Sequence, residues 1–162
     1  MLDKDGVPTK EELLKQLPSE ERLDRGPVVV IECFQEIPCD PCYYSCRRRA
    51  IREFADINSI PIVDFERCNG CTLCISSCPG LAIFVVDKTY SEESALVIMP
   101  YELLPLPEEG EEVACLDRRG EEVCKGRVVN IRTRKMQDKT AVISVAVPKE
   151  MVMEVRNIRV TS

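Results

Sequence analysis

Ten cysteines and no histidine in 162 residues leave thiolate as the soft metal ligand this chain can offer. Four of them form the run Cys68-x2-Cys71-x2-Cys74-x3-Cys78-Pro79. Two-residue gaps let three thiolates wrap around one compact iron–sulfur cubane, and the fourth, held by the proline after it, points away to another cluster where two are present. Structural zinc sites instead use two Cys-x2-Cys pairs separated by a dozen or more residues, so a zinc-binding interaction module fits the spacing poorly. A thiolate-only set also excludes the usual haem, copper and His-based catalytic sites.

A fourth thiol that points away demands a second half-site, and an internal repeat supplies it. Cys39-Asp-Pro-Cys42-Tyr-Tyr-Ser-Cys46-Arg-Arg-Arg-Ala50-Ile51 aligns without a gap on Cys71-Thr-Leu-Cys74-Ile-Ser-Ser-Cys78-Pro-Gly-Leu-Ala82-Ile83. Three cysteines and an Ala-Ile pair stay in register. The fourth thiol of the first copy is Cys33, with a three-residue insertion relative to the gap between Cys68 and Cys71. Arg47 stands where the second copy has Pro79.

With these residues in view, the segment from about Val28 to Asp87 resembles a bacterial dicluster ferredoxin, in which two strand, ligand-loop and helix units are related by a pseudo-twofold axis. The resemblance implies two 4Fe–4S clusters. Its crossover rule gives cluster one Cys33, Cys39, Cys42 and Cys78, and cluster two Cys68, Cys71, Cys74 and Cys46. The whole chain, through Glu36-Ile-Pro-Cys39-Asp-Pro-Cys42, Pro79-Gly-Leu-Ala-Ile-Phe-Val-Val-Asp87 and Val147-Pro-Lys-Glu150, also resembles the small iron–sulfur subunits that accompany flavoprotein amine or amino-acid dehydrogenases of the proline and hydroxyproline type. That second resemblance implies a flavoprotein partner that takes two electrons from a C–N or C–OH substrate. The electrons would pass singly through these clusters to a further flavin, a 2Fe–2S subunit or a soluble carrier. A free-standing dicluster ferredoxin is the alternative, and the segments flanking the ferredoxin core argue against it, because a diffusing carrier does not need them.

The expected fold class is α+β: an N-terminal helical arm over 1–27, a bacterial-type dicluster ferredoxin domain over 28–94, and a small all-β, barrel-like module over 95–162. In the arm, Thr9-Lys-Glu-Glu12 is a capping-box signal and Pro18 ends the helix it starts. That helix either packs on its own core or lies on a partner. Val28–Ile31 and Ala82–Val86 are apolar, β-branched runs that read as strands at the two ends of the ferredoxin core, and Ile51–Ala55 and Ile60–Phe65 read as two more around a turn at Asp56–Ser59. Four further runs, Leu96–Met99, Glu112–Leu116, Val123–Ile131 and Thr140–Val147, supply the β module. Pro148–Val155 suits a short helix or a last strand, and Pro105, Pro107 and Gly110 mark a hinge. So small a ferredoxin core needs its clusters as staples.

Two cysteines remain after eight are spent. A tight turn at Arg119-Gly120 sets Cys115 opposite Cys124 on a hairpin, where two small buried thiols are expected ahead of a disulfide. No Gly-rich nucleotide loop and no catalytic constellation is found, so the chain alone is expected to turn over nothing. Its net charge of −6 argues against nucleic acid. No apolar stretch approaches the ~20 residues of a membrane span, and no apolar signal segment precedes the thiols, so a cytoplasmic setting is expected. Arg47-Arg48-Arg49, next to a ligand cysteine, either sit as solvated charge, raise a cluster's potential, or meet an acidic donor surface.

Overall fold

The computed structural model describes residues 2–135 and 139–161. Three short helices open the chain: α1 (Leu2–Asp5), α2 (Lys10–Gln16) and α3 (Glu20–Leu23). The Thr9 signal starts α2 as expected: Thr9 Oγ1 accepts from the Glu12 N–H at 3.2 Å and the Glu12 carboxylate accepts from the Thr9 N–H at 2.7 Å. The same device recurs past Pro18, where Ser19 Oγ accepts from the Arg22 N–H and starts α3, a helix the single-helix expectation overlooked. α3 buries Leu23 and Arg22, whereas α2 buries none of its residues and leaves Leu14 exposed.

The rest of the order is β1 (Val28–Ile31), α4 (Pro41–Ser45), α5 (Leu73–Ser77), β2 (Ile83–Asp87), β3 (Ser94–Tyr101), β4 (Glu112–Leu116), β5 (Glu122–Arg132), β6 (Ala141–Pro148) and β7 (Asn157–Arg159). The strands pair antiparallel in one seven-stranded sheet of order β1-β2-β3-β6-β5-β4-β7. β1 and β2 are apolar at nearly every position because both of their faces are covered, a condition that replaces alternation with a continuous apolar run. Val28, Val30, Phe84 and Val86 join one core with Val97, Val113, Val128, Ile143 and Ile158. Val29, Ile31, Ile83 and Val85 face the other way, onto Cys42, Ile51, Cys74 and Ile75. The ligand loops therefore sit on the back of β1 and β2.

All seven strands contribute to the first core, so the sheet coils around a single interior. The barrel expected for 95–162 is accordingly not a separate sheet. Val85 and Val86 of β2 lie opposite Ile98 and Val97 of β3, so the open edge of the ferredoxin pair is covered by the next strand in sequence, which removes an unpaired edge. The strands expected at Ile51–Ala55 and Ile60–Phe65 are also corrected. They reduce to one antiparallel bridge between Ile51 and Val63, with hydrogen bonds from Arg52 N–H to Ile62 O at 2.9 Å and Asp64 N–H to Ala50 O at 2.7 Å. Pro61 has no N–H to carry the ladder further. Pro148–Val155 contains a 3-10 turn at Lys149–Met151, and the last strand follows at Asn157.

Candidate metal centre

The sequence repeat is a repeat of backbone geometry. α4 and α5 are both five-residue helices ended by a cysteine, Cys46 and Cys78, whose N–H groups donate to Tyr43 O and Ile75 O. Three residues on, Arg49 and Leu81 both adopt a left-handed conformation, with φ of 52° and 53°. That bend turns the next amide back, so that Ala50 N–H donates to Cys46 Sγ at 3.2 Å and Ala82 N–H donates to Cys78 Sγ at 3.4 Å. The Ala-Ile pair is thereby explained: the alanine amide serves the sulfur, and the following Ile51 or Ile83 enters the bridge or strand behind it.

Charged-neighbour relations link Cys33, Cys39, Cys42 and Cys78 in one group and Cys46, Cys68, Cys71 and Cys74 in another. Burial pushes the Cys33 thiol up, and nearby Cys78 and Cys39 add to it. Cys39 is raised by burial, then by Cys78 and Asp40. Cys42 is pushed up to about 11, chiefly by burial, with Cys78, Cys39 and Cys33 as charged neighbours. In the other group, burial raises Cys74 strongly and Cys68, Cys71 and Cys46 raise it further. These last four also line a common cavity with Val29 and Val85.

This donor set fits an iron–sulfur cluster. Four thiolates side by side in an apolar setting repel one another and resist ionisation unless a cationic metal core compensates them, and a coordinating thiol is deprotonated outright. Backbone amides aimed at the sulfurs favour the charged form and tune the redox potential. Besides the two alanine amides, Cys68 Sγ accepts from Val29 N–H and Gly70 N–H, each at 3.4 Å. Among the described residues, no three His, Cys, Asp or Glu side chains converge as a single metal ion requires. One zinc ion holds its sulfurs at about 2.3 Å.

Supporting contacts come from residues the sequence reading did not single out. Arg22, buried, donates from Nη2 to Cys68 O at 2.7 Å and Pro27 O at 3.0 Å, from Nε to Phe65 O at 2.8 Å and from Nη1 to Gly26 O at 3.1 Å. One guanidinium thus ties the N-terminal arm to the ligand loop by four carbonyls. Gly70 adopts φ +69°, and a Cβ there would lie 2.5 Å from Pro27 Cβ, so the loop closes on the arm only with glycine. At the other quartet, Gln16 donates to Cys33 O at 3.1 Å. Glu32, beside Cys33, receives two hydrogen bonds from Arg118, Nε to Oε2 at 3.0 Å and Nη2 to Oε1 at 2.6 Å, and one from Arg156 Nε at 2.7 Å. Burial would raise the Glu32 carboxyl, but Arg156 and Arg118 outweigh it and hold the group below the ordinary carboxylate value. The only sequence signal for these residues was an acid or base beside a ligand or cap, which names no partner.

Cys115 and Cys124 lie opposite each other on β4 and β5 as expected and are not disulfide-bonded. Burial, then Cys124, pushes Cys115 up to about 12. Arg47, Arg48 and Arg49 are exposed. No helix among the described residues is long and apolar enough to cross a membrane.

Comparison with known proteins agrees with the second half-site. The family described as "4Fe-4S binding domain" matches residues 61–84, which contain Cys68, Cys71, Cys74 and Cys78. A ferredoxin-type protein, NapF, of Haemophilus influenzae is 32% identical over 81 residues, 48% of this chain and 44% of that protein. Pyruvate synthase subunit PorD of Methanocaldococcus jannaschii is 38% identical over 52 residues, 32% of this chain and 58% of that protein. The chain thus spans about half the length of the curated relatives it matches. No solved structure matches it. The chain carries a 4Fe–4S binding domain, and its similarity, over less than half its length, is to a ferredoxin-type protein and a pyruvate synthase subunit.

Proposed function

We propose that this chain is the electron-transfer subunit of a flavin-containing oxidoreductase complex and relays single electrons through two 4Fe–4S clusters. Cys33, Cys39, Cys42 and Cys78 hold one cluster, and Cys46, Cys68, Cys71 and Cys74 hold the other. The observation that carries two clusters is the equivalence of the half-sites down to the left-handed residue and the alanine amide on the sulfur. When bound, each cluster supplies one-electron storage at a potential set by charge, hydrogen bonds and burial. The chain's own part is to hold thiolates, to donate amides to them, and to seat both loops on the back of β1 and β2. Substrate oxidation is assigned to the partner, because the chain's own chemistry on this reading is one-electron relay.

For a partner flavoprotein of the amine or amino-acid dehydrogenase type, the support is the resemblance of the whole chain to such small iron–sulfur subunits. PorD, named as a subunit of pyruvate synthase, is a precedent for a relative of this chain inside a larger enzyme. The free-standing carrier keeps one point in its favour: the C-terminal strands pack on the ferredoxin pair itself, which gives them work without a partner.

Iron and acid-labile sulfide should each approach about eight per chain, four per cluster at eight ligands. A value near four would remove the Cys33 quartet, and zinc in place of iron would remove the reading altogether. Purification of the native chain with a flavin-bearing protein is expected. Purification as a lone, fully loaded monomer would favour the carrier.

A further inference from the structure

We infer that the rim of the Cys46, Cys68, Cys71, Cys74 quartet is the docking face for an acidic surface of a redox protein; this rests on the electron-transfer reading above. The chain carries a net charge of −6, yet its cations gather where sulfur is most open to solvent. Cys71 is the one exposed cysteine of the ten. Arg132 lies near enough for the charge of Cys71 to act on it, and its guanidinium is fixed by donating to Thr72 Oγ1. Arg48 lines the cavity between the four sulfurs. Beside it a groove between α4 and α5 is lined by Tyr44, Arg47, Ser76, Ser77, Arg132 and Arg134. Among the described residues, Arg47, Arg48 and Arg132 make no salt bridge to a carboxylate of the chain.

At the other quartet Asp40 is an anionic neighbour of Cys39, and the nearby Arg118 and Arg156 are already paired with Glu32. Arg47, Arg48 and Arg132 thus form a cationic patch at the Cys71 rim. A negative protein repels a negative partner at long range everywhere except over such a rim, which selects the orientation of encounter. Guanidinium forks pair with carboxylates in two parallel bonds, and hydroxyls between them accept or donate as needed. A partner held there meets the quartet at Cys71, the shortest route to solvent. Nucleic acid is disfavoured as occupant, because a polyanion longer than the groove meets the acidic remainder of the chain.

The test uses the full chain loaded with iron. Calorimetric titration with poly-L-glutamate, a redox-inert acidic chain, should show binding at low salt that is lost at high salt, and Arg47→Glu should weaken it about tenfold or more. Among the described residues the Arg47 side chain makes no hydrogen bond, and Arg47→Gln, expected to weaken binding less, guards against a misfolded variant. In stopped flow, one electron passes from the dithionite-reduced protein to ferricyanide, giving ferrocyanide with no bond made or broken. Its rate should fall as salt rises, against the sign of the net charge, and oxidation by the cationic hexaamminecobalt(III) should show the opposite trend. Poly-L-glutamate should slow the ferricyanide reaction. Absence of poly-L-glutamate binding, or a ferricyanide rate that rises with salt, overturns the docking face while full iron content leaves the function standing. Poly-L-glutamate binding to a chain that holds zinc, not iron, would overturn the functional reading and keep the acidic-partner surface.

Discussion

Arg49 and Leu81 each sit in the left-handed region, where a side chain costs roughly 1–2 kcal/mol. The strain is tolerated because it aims an amide at a sulfur, and it occurs at the same step of both copies. Arg49→Gly should therefore keep the iron content and leave stability unchanged or raised by up to about 1 kcal/mol, since relief of strain is partly offset by the freedom of an unfolded glycine. The midpoint of iron release in guanidinium measures it, and a loss above about 1 kcal/mol would end the strain argument. Cys115 poses the opposite case, a buried thiol outside the repeat. Its value is raised from 9.0 to about 12, burial first. The folded chain holds this proton more tightly than the unfolded one, so the stabilisation is whole below pH 9 and lost as pH rises toward 12. Iodoacetamide at pH 8 should leave Cys115 unmodified in the folded, loaded chain, as peptide mass analysis would show. The facing thiols were legible from their spacing about Gly120. Arg22 was not, because its four carbonyl acceptors, two at Gly26 and Pro27 and two far off at Phe65 and Cys68, leave no trace in a linear pattern.

At the scale of elements, most apolar runs were read correctly as strands, and Val28–Ile31 pairs with the run that ends at Val86 as expected; what escaped was that β3 continues the same sheet. A continuous apolar run such as Val28–Ile31 signals cover on both faces, but only the fold tells that one cover is the coiled sheet and the other the pair of ligand loops. The short runs around Pro61 carried strand-like composition without room for a ladder, which is why two expected strands became a bridge. The glycine of β5 was equally silent. A Cβ on Gly126 would lie 2.6 Å from Cys115 Sγ, 2.8 Å from Val145 Cγ1 and 3.0 Å from Ala146 O, because β5 is packed closely between β4 and β6 at this position. Overpacking of this kind costs about 1–3 kcal/mol. Gly126→Ala should lower the denaturation midpoint accordingly while both quartets keep their iron. An unchanged midpoint would mean that the three strands separate more easily than their packing implies.

The whole molecule is joined by one buried ionic cluster across long sequence distances. Glu32 precedes the first ligand cysteine, Arg118 lies in the β4–β5 connection, and Arg156 lies just before β7. Arg118 also donates to Met153 O at 2.8 Å, Arg156 donates to Val152 O at 3.1 Å and Val155 O at 2.6 Å, and the Arg156 guanidinium stands 5.1 Å from the centre of the Phe84 ring. The C-terminal segment is thus clamped on the Cys33 loop, so any docking role it has must leave this contact intact. Glu32→Gln would leave Arg156 buried without a paired carboxylate and Arg118 with only the exposed Glu154 carboxylate at 3.8 Å, and breaking a buried pair of this kind typically costs about 3–5 kcal/mol. Arg156→Met should cost less, because Glu32 keeps its two bonds from Arg118 and the methionine stays over Phe84. The double variant should be more stable than the sum of the two losses predicts, since the second change removes one of the charges that the first leaves stranded. If the clamp also orders the Cys33 loop, Glu32→Gln releases the iron of that quartet before the iron of the Cys68 quartet, in two phases separable by following absorbance in guanidinium. A single phase at the midpoint of the unaltered chain would show that the loop is held by its cluster alone.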